Sequence, residues 1–387
     1  MKRFPVFDSL CGLCALTLIV HHSHIERSFT ELALFRNASY FVELFFAISG
    51  FLIYRHYMNH LATPRQLRDF VITQTCRVYP LHVFMLVVFI GFECAKLVLE
   101  RYGMSLNSAA FSGDRAPAEI LPNLLLIQAW WPGFNALSFN YPSWAVSVQY
   151  YLALLFALIV FLVPALARKI LTLLAVLSFV ALFVETPLLT PNLQWGAAAF
   201  FGGALTYRVY LRLHDFAPGR LLASVLEIAI LALIYVIMTE GEKPLTLELA
   251  LLFCVAVLIF AFEAGVVSQL LRLRPFRWLG KLWLSIYMTH AAVIFAVGTA
   301  LQIIAKRTGT TLFADLPGDA AGTMVRYVST GTGINDNLIM VFLIVTVVVV
   351  SMLTYRYVEA QGVLLGKRWK AGKIVDRRQG PDASRSI

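Results

Sequence analysis

Long apolar blocks recur along this chain, each of roughly 17 to 25 residues, which is enough for a helix to cross a hydrocarbon core of about 30 Å. The blocks predict ten spanning helices, at 6–22, 40–57, 78–99, 142–163, 169–186, 194–213, 220–238, 245–264, 282–304 and 337–357. The apolar segment from Leu121 to Trp131 is short and bounded by prolines, so we expect it to be interfacial or re-entrant. This assignment leaves 100–141 and 305–336 as the two long loops.

Composition supports the same class of protein. Of the 387 residues, 59% are hydrophobic and only 14% charged, whereas soluble domains carry about 25% charged residues. The mean hydropathy is +0.74. We therefore predict an all-α, polytopic membrane protein, with a membrane-embedded domain at 1–359 and a basic cytoplasmic tail at 360–387 that anchors at the membrane surface.

The positive charges predict the orientation of the helices. With both termini in the cytoplasm, 23 of the 32 Lys and Arg residues fall on the cytoplasmic side, as the positive-inside rule requires. Both long loops then lie outside. The net charge of +10 is accounted for by this topology and by anionic lipid headgroups, so the bilayer is an expected partner and nucleic acid is not.

The five cysteines carry no expected chemistry. All lie within or beside apolar segments, and their spacing resembles neither a disulfide framework nor a zinc site. Cys11 and Cys14 form a C-x-x-C inside an apolar helix, where we expect small buried side chains. No metal site is predicted.

Polar side chains from several predicted helices fall at similar depth. His22 ends the first helix, Glu43 begins the second, and Gln149 lies about two turns into the fourth, all near the outer surface. His290 lies nearer the middle of the ninth. A carboxylate beside a neutral imidazole makes a general base, so His22 and Glu43 are candidates for that pair. The alternative is that His22 only caps its helix at the headgroup level.

The face of the first helix that carries Cys11 and His22, which we call the helix stripe, predicts a path across the membrane. Cys11 precedes His22 by eleven residues, which places them about 20° apart around the helix and about 16 Å apart along it. The stripe therefore points from the cytoplasmic side to the outer surface. The same separation excludes Cys11 as a thiol activated by His22, because a nucleophile and its base must be within hydrogen-bonding distance.

Several motifs, in order, resemble the acyltransferase 3 family of integral membrane O-acyltransferases. Its D-G-L-R-G-L and R-x10-H patterns resemble the chain from Asp8 to His22. The others are L-F-F-A-I-S-G-F-L-I at 44–53, R-V-Y-P-L at 77–81, P-S-W-A-V-S-V-Q at 142–149, L-G-K at 279–281, S-I-Y at 285–287, T-H at 289–290 and Y-V-E at 357–359.

The resemblance implies a function and a location. It implies transfer of an acyl group, usually acetyl, from acyl-CoA on the cytoplasmic side to a hydroxyl of an exported or cell-surface glycan or a lipid-linked saccharide. Acetyl-CoA would be a substrate, with no bound cofactor. A bacterial inner membrane and partners in glycan biosynthesis are the expected setting.

The resemblance also implies roles for the candidate residues. His22 would be the general base and Glu43 its orienting carboxylate, with Ser147, Gln149 and Tyr287 holding the thioester oxygen or the acceptor. The other expected substrate-binding residues are Cys11, Arg77, Lys281, His290 and Trp144, with Arg77 and Lys281 on the phosphates of coenzyme A.

Three positions depart from the family pattern, and alternatives remain open. The chain has Cys11 in place of arginine, Gln74 in place of a basic pair and Gln149 in place of glutamate. A catalytically weakened member with a binding or assembly role is one alternative. A saccharide or acyl transporter is another, although the chain shows no inverted repeat.

The residue assignments have structural alternatives as well. Arg77 could anchor its helix at the cytoplasmic surface. Tyr287 and His290, one turn apart, could be a core pair, and Trp144 could belong to an interfacial aromatic belt.

Overall fold

A computed structural model describes residues 3–103, 108–213, 215–216, 218–240, 246–317 and 324–371, and within these ranges the chain forms fifteen α-helices and one β-hairpin. The helices are α1 (Pro5–His21), α2 (Ala33–Arg36), α3 (Phe41–Tyr57), α4 (Pro64–Arg101), α5 (Ile120–Leu124), α6 (Ser143–Leu162), α7 (Ala167–Phe183), α8 (Pro191–Leu213), α9 (Arg220–Glu240), α10 (Thr246–Ala261), α11 (Val266–Leu271), α12 (Arg274–Lys281), α13 (Trp283–Thr308), α14 (Gly333–Thr354) and α15 (Ala360–Lys370). The strands are β1 (Phe313–Pro317) and β2 (Met324–Val328).

The mainly helical membrane architecture is confirmed, and a helix lies at each of the ten predicted positions. Six helices in the described ranges have the length and apolar composition to cross a membrane: Ala38–Tyr57, Pro64–Arg101, Ser143–Leu162, Arg220–Thr239, Trp283–Thr308 and Gly333–Lys370. Two shorter apolar helices are Pro5–His21 and Thr246–Ala261. Ten spans with cytoplasmic termini therefore remain a prediction.

Two helices extend well beyond their predicted bounds. Helix α4 begins at Pro64 rather than at residue 78, because Thr63 and Gln66 form a reciprocal capping box at its start. Helix α14 continues through a π-helical turn, Tyr355–Glu359, into α15. Helix α15 packs on α4, where Lys370 Nζ donates to Thr73 Oγ1 at 2.9 Å. The start of the predicted tail is thus a packed helix, and residues 372–387 lie outside the described part.

The segment from Leu121 to Trp131 packs against α4 and α6. The His82 ring donates from Nε2 to the Asn123 carbonyl at 2.7 Å, and Ser147 Oγ donates to the Leu126 carbonyl at 2.5 Å. Leu126 is fully buried, while Leu121 and Trp131 are exposed. The His82 and Ser147 side chains thus satisfy backbone carbonyls that lie outside regular helix. Lipid could not provide hydrogen bonds to these carbonyls.

The loop predicted at 305–336 contains the antiparallel β-hairpin, which the sequence analysis did not anticipate. The segment just after α1 pairs with it: the Val328 N–H donates to the His24 carbonyl at 2.9 Å, and the Glu26 N–H donates to the Val328 carbonyl at 3.0 Å. The hairpin thereby fixes the chain two residues beyond His22.

Glycines allow close contact between α3 and α8. A Cβ added at Gly50 would lie 1.8 Å from the Phe200 carbonyl oxygen, and one at Gly203 would lie 2.0 Å from that of Ala47. Both separations are far below van der Waals contact, so the two helix backbones meet directly. This contact positions the start of α3, where Glu43 lies, against the start of α8.

The substitution Gly50→Ala should therefore destabilise the protein severely. Its cost should exceed the roughly 1–3 kcal/mol of ordinary overpacking, because a backbone carbonyl cannot move aside as a side chain can. The measurement is the thermal unfolding midpoint in detergent, together with recovery of monodisperse protein. Gly91→Ala is the matched control, since nothing lies within 4 Å of an added Cβ there. Equal midpoints for the two variants would contradict this account of the helix contact.

Candidate functional site

A cavity of about 760 Å³ opens where α1 ends and α3, α6 and α8 begin. Four of the predicted site residues line it: His22, Glu43, Trp144 and Tyr287. The size of the cavity is within the usual range for small-molecule sites. The sequence analysis placed His22 and Glu43 at one depth, and the structure brings both to this cavity.

Two histidines meet at the wall of the cavity. Nδ1 of His22 lies 2.9 Å from the Leu18 carbonyl oxygen and 3.2 Å from Nε2 of His290. Nδ1 of His290 lies 3.3 Å from the Ile286 carbonyl oxygen. Since a carbonyl only accepts, Nδ1 carries the proton of each neutral ring, and the single Nδ1–H of His22 is shared between the Leu18 carbonyl and Nε2 of His290. These hydrogen bonds assign the tautomers and leave Nε2 of His22 unprotonated, as a base requires.

Glu43 is not the hydrogen-bond partner of His22, contrary to the prediction. Helix α1 itself supplies one partner, the Leu18 carbonyl one turn earlier, and α13 supplies the other, His290. Both carboxyl oxygens of Glu43 are buried, and neither has a hydrogen-bond partner among the described residues. Glu43 thus lines the cavity with a hydrogen-bonding capacity that no described residue satisfies, and an unpaired buried polar group of this kind is costly.

Aromatic rings enclose the two histidines. The Tyr141 ring centroid lies 4.7 Å from that of His22 and 5.8 Å from that of His290. Tyr287 packs between His290 and Phe45, with centroid separations of 6.0 and 5.6 Å. Of these residues, Tyr141 was missed in the sequence analysis, although it directly precedes the P-S-W motif.

Ser147 and Gln149 do not line this cavity. The Ser147 hydroxyl is fully buried and donates to the Leu126 carbonyl, so it holds the segment between α5 and α6. Gln149 Nε2 donates to Ser49 Oγ at 2.9 Å, between α6 and α3. Gln149 lies on α6 five residues past Trp144, which corresponds to about 7.5 Å along the helix.

The remaining predicted residues gather near the start of α1. Cys11 is buried, and Gly280, the neighbour of Lys281, packs against the backbone of Asp8. The exposed Arg77 lies close enough to Asp8 and Glu359 to interact electrostatically with both. The predicted residues thus form two groups, which lie toward opposite ends of α1.

Arg115 forms part of the cavity wall and was also missed. Its Nη1 donates to the fully buried carboxylate of Glu93 at 2.8 Å, and its guanidinium lies 4.3 Å from the ring centroid of Phe295. Lys96 is a second cation beside Glu93, at 3.5 Å. No pattern in the loop sequence indicates that Arg115 folds back onto α4. Within the described ranges, no group of three or more His, Cys, Asp or Glu side chains could hold a metal ion.

Comparison with known proteins supplies one match. The family model Acyl_transf_3, described as an acyltransferase domain, matches residues 6–356, nearly the whole chain. No curated protein and no solved structure matches the chain.

Proposed function

This chain belongs to the acyltransferase 3 family, and we propose that it moves an acyl group, in the simplest case acetyl, from acyl-CoA to a hydroxyl of an exported glycan. The observation that carries the proposal is the His22–His290 pair, which presents an unprotonated imidazole nitrogen in a cavity large enough for a sugar. The setting we propose is a bacterial inner membrane, with ten spans and both termini in the cytoplasm.

His22 acts as the general base. As the acceptor hydroxyl attacks the thioester carbonyl, Nε2 of His22 takes the hydroxyl proton, an ester bond forms and the carbon–sulfur bond breaks. The proton then passes to the departing thiolate of coenzyme A. The Leu18 carbonyl and Nε2 of His290 accept the Nδ1–H hydrogen bond and so stabilise the protonated ring. In other general-base pairs, a carboxylate accepts this hydrogen bond.

Glu43 and the aromatic walls position the acceptor. The unpartnered carboxylate oxygens of Glu43 can accept hydrogen bonds from sugar hydroxyls. Trp144 and Tyr287 contribute aromatic side chains to the walls of the same cavity. Fixing the acceptor beside His22 adds the contribution of proximity, which a general base alone does not supply.

The donor approaches from the opposite end of α1. There, Arg77 and Lys281 are exposed cations that can bind the phosphates of coenzyme A. The thioester then extends along the helix stripe that joins Cys11 to His22. Cys11 is uncharged, so it cannot supply the fixed positive charge at this end. We assign that charge to Arg77 of α4, which lies near Asp8 of α1.

The experiment is transfer of labelled acetyl from acetyl-CoA into the host's deacetylated surface glycan, with purified protein in lipid nanodiscs. We expect base-labile label in the glycan that depends on protein and saturates with acetyl-CoA. Folded protein that transfers no label would contradict acetyl transfer. If such protein still bound the glycan, the result would favour the alternative of a member with a binding role.

A further inference from the structure

A second cavity adjoins the site. It has a volume of about 620 Å³ and shares Asn192 and Trp195, at the start of α8, with the cavity that contains His22. Trp195 also packs edge-on against Trp144, with ring centroids 6.5 Å apart. We call this second cavity the outer groove, and its walls are the connection between α7 and α8 and the segment around Phe134.

The walls of the outer groove combine aromatic and other apolar side chains with neutral polar groups and one carboxyl group, that of Glu185. Phe134 and Trp195 are half-buried, and Glu185, Thr186, Thr190 and Gln194 also line it. No Lys, Arg or His is among its described lining residues. A sugar ring offers an apolar face of C–H groups and a rim of hydroxyls, which matches such walls. A lipid tail would need uniformly apolar walls, and an anionic headgroup would need a cation.

The outer groove is preformed. Gln194 Nε2 donates to the Thr186 and Leu189 carbonyls at 2.7 and 2.9 Å, and Thr190 Oγ1 donates to the Ala129 carbonyl at 2.7 Å. Glu185 has a φ of +48°, a left-handed conformation that a non-glycine residue adopts at a cost. These bonds hold the α7–α8 connection in place before any ligand arrives, as is usual for binding pockets.

We infer that the outer groove is a second acceptor subsite, which binds the uncharged sugar residues flanking the one that is acylated. This inference rests on the proposed function, which places the reacting sugar beside His22. The composition of the outer groove then places the flanking sugars. It makes the acceptor a chain of several sugars rather than a free monosaccharide or a small alcohol.

Binding measured without donor tests the subsite. The probes are oligosaccharides of one to six sugars, prepared by partial hydrolysis of the host's deacetylated surface polysaccharide, titrated onto the protein in nanodiscs by tryptophan fluorescence. We expect affinity to rise about tenfold or more from one sugar to three, the gain that one well-packed aromatic contact provides. Affinity that is independent of chain length would overturn the inference.

Two variants locate that gain. Phe134→Ala should remove most of it, and Glu185→Gln a smaller share, while affinity for the single sugar changes less than about twofold, since neither residue lines the His22 cavity. Leu188→Ala is the matched control, because Leu188 lies in the same connection, is 85% exposed and does not line the outer groove. Unchanged length dependence in folded Glu185→Gln and Phe134→Ala, or an equal loss in Leu188→Ala, would overturn the inference.

The same titrations separate this inference from the proposed function. Length-dependent binding without label transfer would support the outer groove and contradict acyl transfer. Label transfer with length-independent binding would support acyl transfer and contradict the outer groove.

Discussion

Replacing His22 with alanine should lower acyl transfer by about 10²- to 10⁴-fold, the range that general-base catalysis supplies. The loss should appear in kcat, because His22 acts on the hydroxyl proton as the ester bond forms. Affinity for acyl-CoA should change little, since the proposed phosphate-binding residues lie near the other end of α1. Rates measured at saturating donor in nanodiscs, normalised to folded protein, test this expectation.

His21→Ala is the matched control for that variant. His21 precedes His22 on the same helix, and its Nδ1 donates to the Phe35 carbonyl at 3.0 Å. It is not among the residues lining the cavity. We expect this variant to keep transfer within about threefold of the parent rate, since it removes no group from the cavity. Equal losses in the two variants would mean that His22 acts through the end of α1 rather than as a base.

The substitution Glu43→Met should stabilise the protein while reducing transfer about 10²-fold or more. The Glu43 carboxyl group is buried without a hydrogen-bond partner among the described residues, and leaving such a group unpaired costs at least about 1–3 kcal/mol. An apolar side chain of similar volume removes that cost and also removes the group that we propose binds the acceptor. The two measurements are the thermal unfolding midpoint and the transfer rate with acceptor concentration varied. A lower midpoint, or an unchanged rate, would count against the acceptor-binding role.

Glu93→Met provides the opposite case. Glu93 is also fully buried, but it accepts from Arg115 Nη1 at 2.8 Å and from the Phe111 N–H at 2.8 Å, and it lies 3.5 Å from Lys96 Nζ. Removing one partner of a buried ion pair costs about 3–5 kcal/mol. We therefore expect the midpoint of Glu93→Met to fall while that of Glu43→Met rises. The two substitutions of buried carboxyl groups are therefore predicted to shift the unfolding midpoint in opposite directions.

The sequence was sufficient to predict that His22 and Glu43 lie at the same end of their helices, but not which side chains form hydrogen bonds there. Apolar blocks and helical rise place His22 and Glu43 at one level, and the structure confirms that both line one cavity. The predicted bond between them is wrong because pairing depends on how α1 and α13 rotate and cross. That rotation puts His290 against His22, although depth alone placed His290 nearer the middle.

The positions of residues in irregular segments could not be predicted from the sequence either. Arg115 reaches the cavity from one long loop, and the hairpin in the other pairs with the chain just after His22. Neither loop has a hydrophobic periodicity from which these positions could be predicted. Trp195 resembles any aromatic residue at the start of an apolar helix, and only the packing of α6 against α8 places it between the two cavities. Positions set by contacts distant in sequence leave no local pattern.

The departure from the family pattern at Gln149 becomes easier to understand in the structure. Its side chain bonds to Ser49 rather than lining the cavity of His22. A glutamate at this position would therefore lie away from the proposed base. This arrangement is consistent with a working site that does not depend on a carboxylate at position 149.

The most direct test of transfer across the membrane uses sealed inside-out vesicles containing the protein, with deacetylated host glycan trapped inside and labelled acetyl-CoA added outside. In the orientation that we propose, the cytoplasmic face of such vesicles is exposed to the donor, and the cavity of His22 faces the trapped glycan. We predict base-labile label in the trapped glycan for the parent protein and background label for His22→Ala. Equal label in the two, or label only when glycan is added outside, would contradict transfer from the cytoplasmic donor to an acceptor at His22.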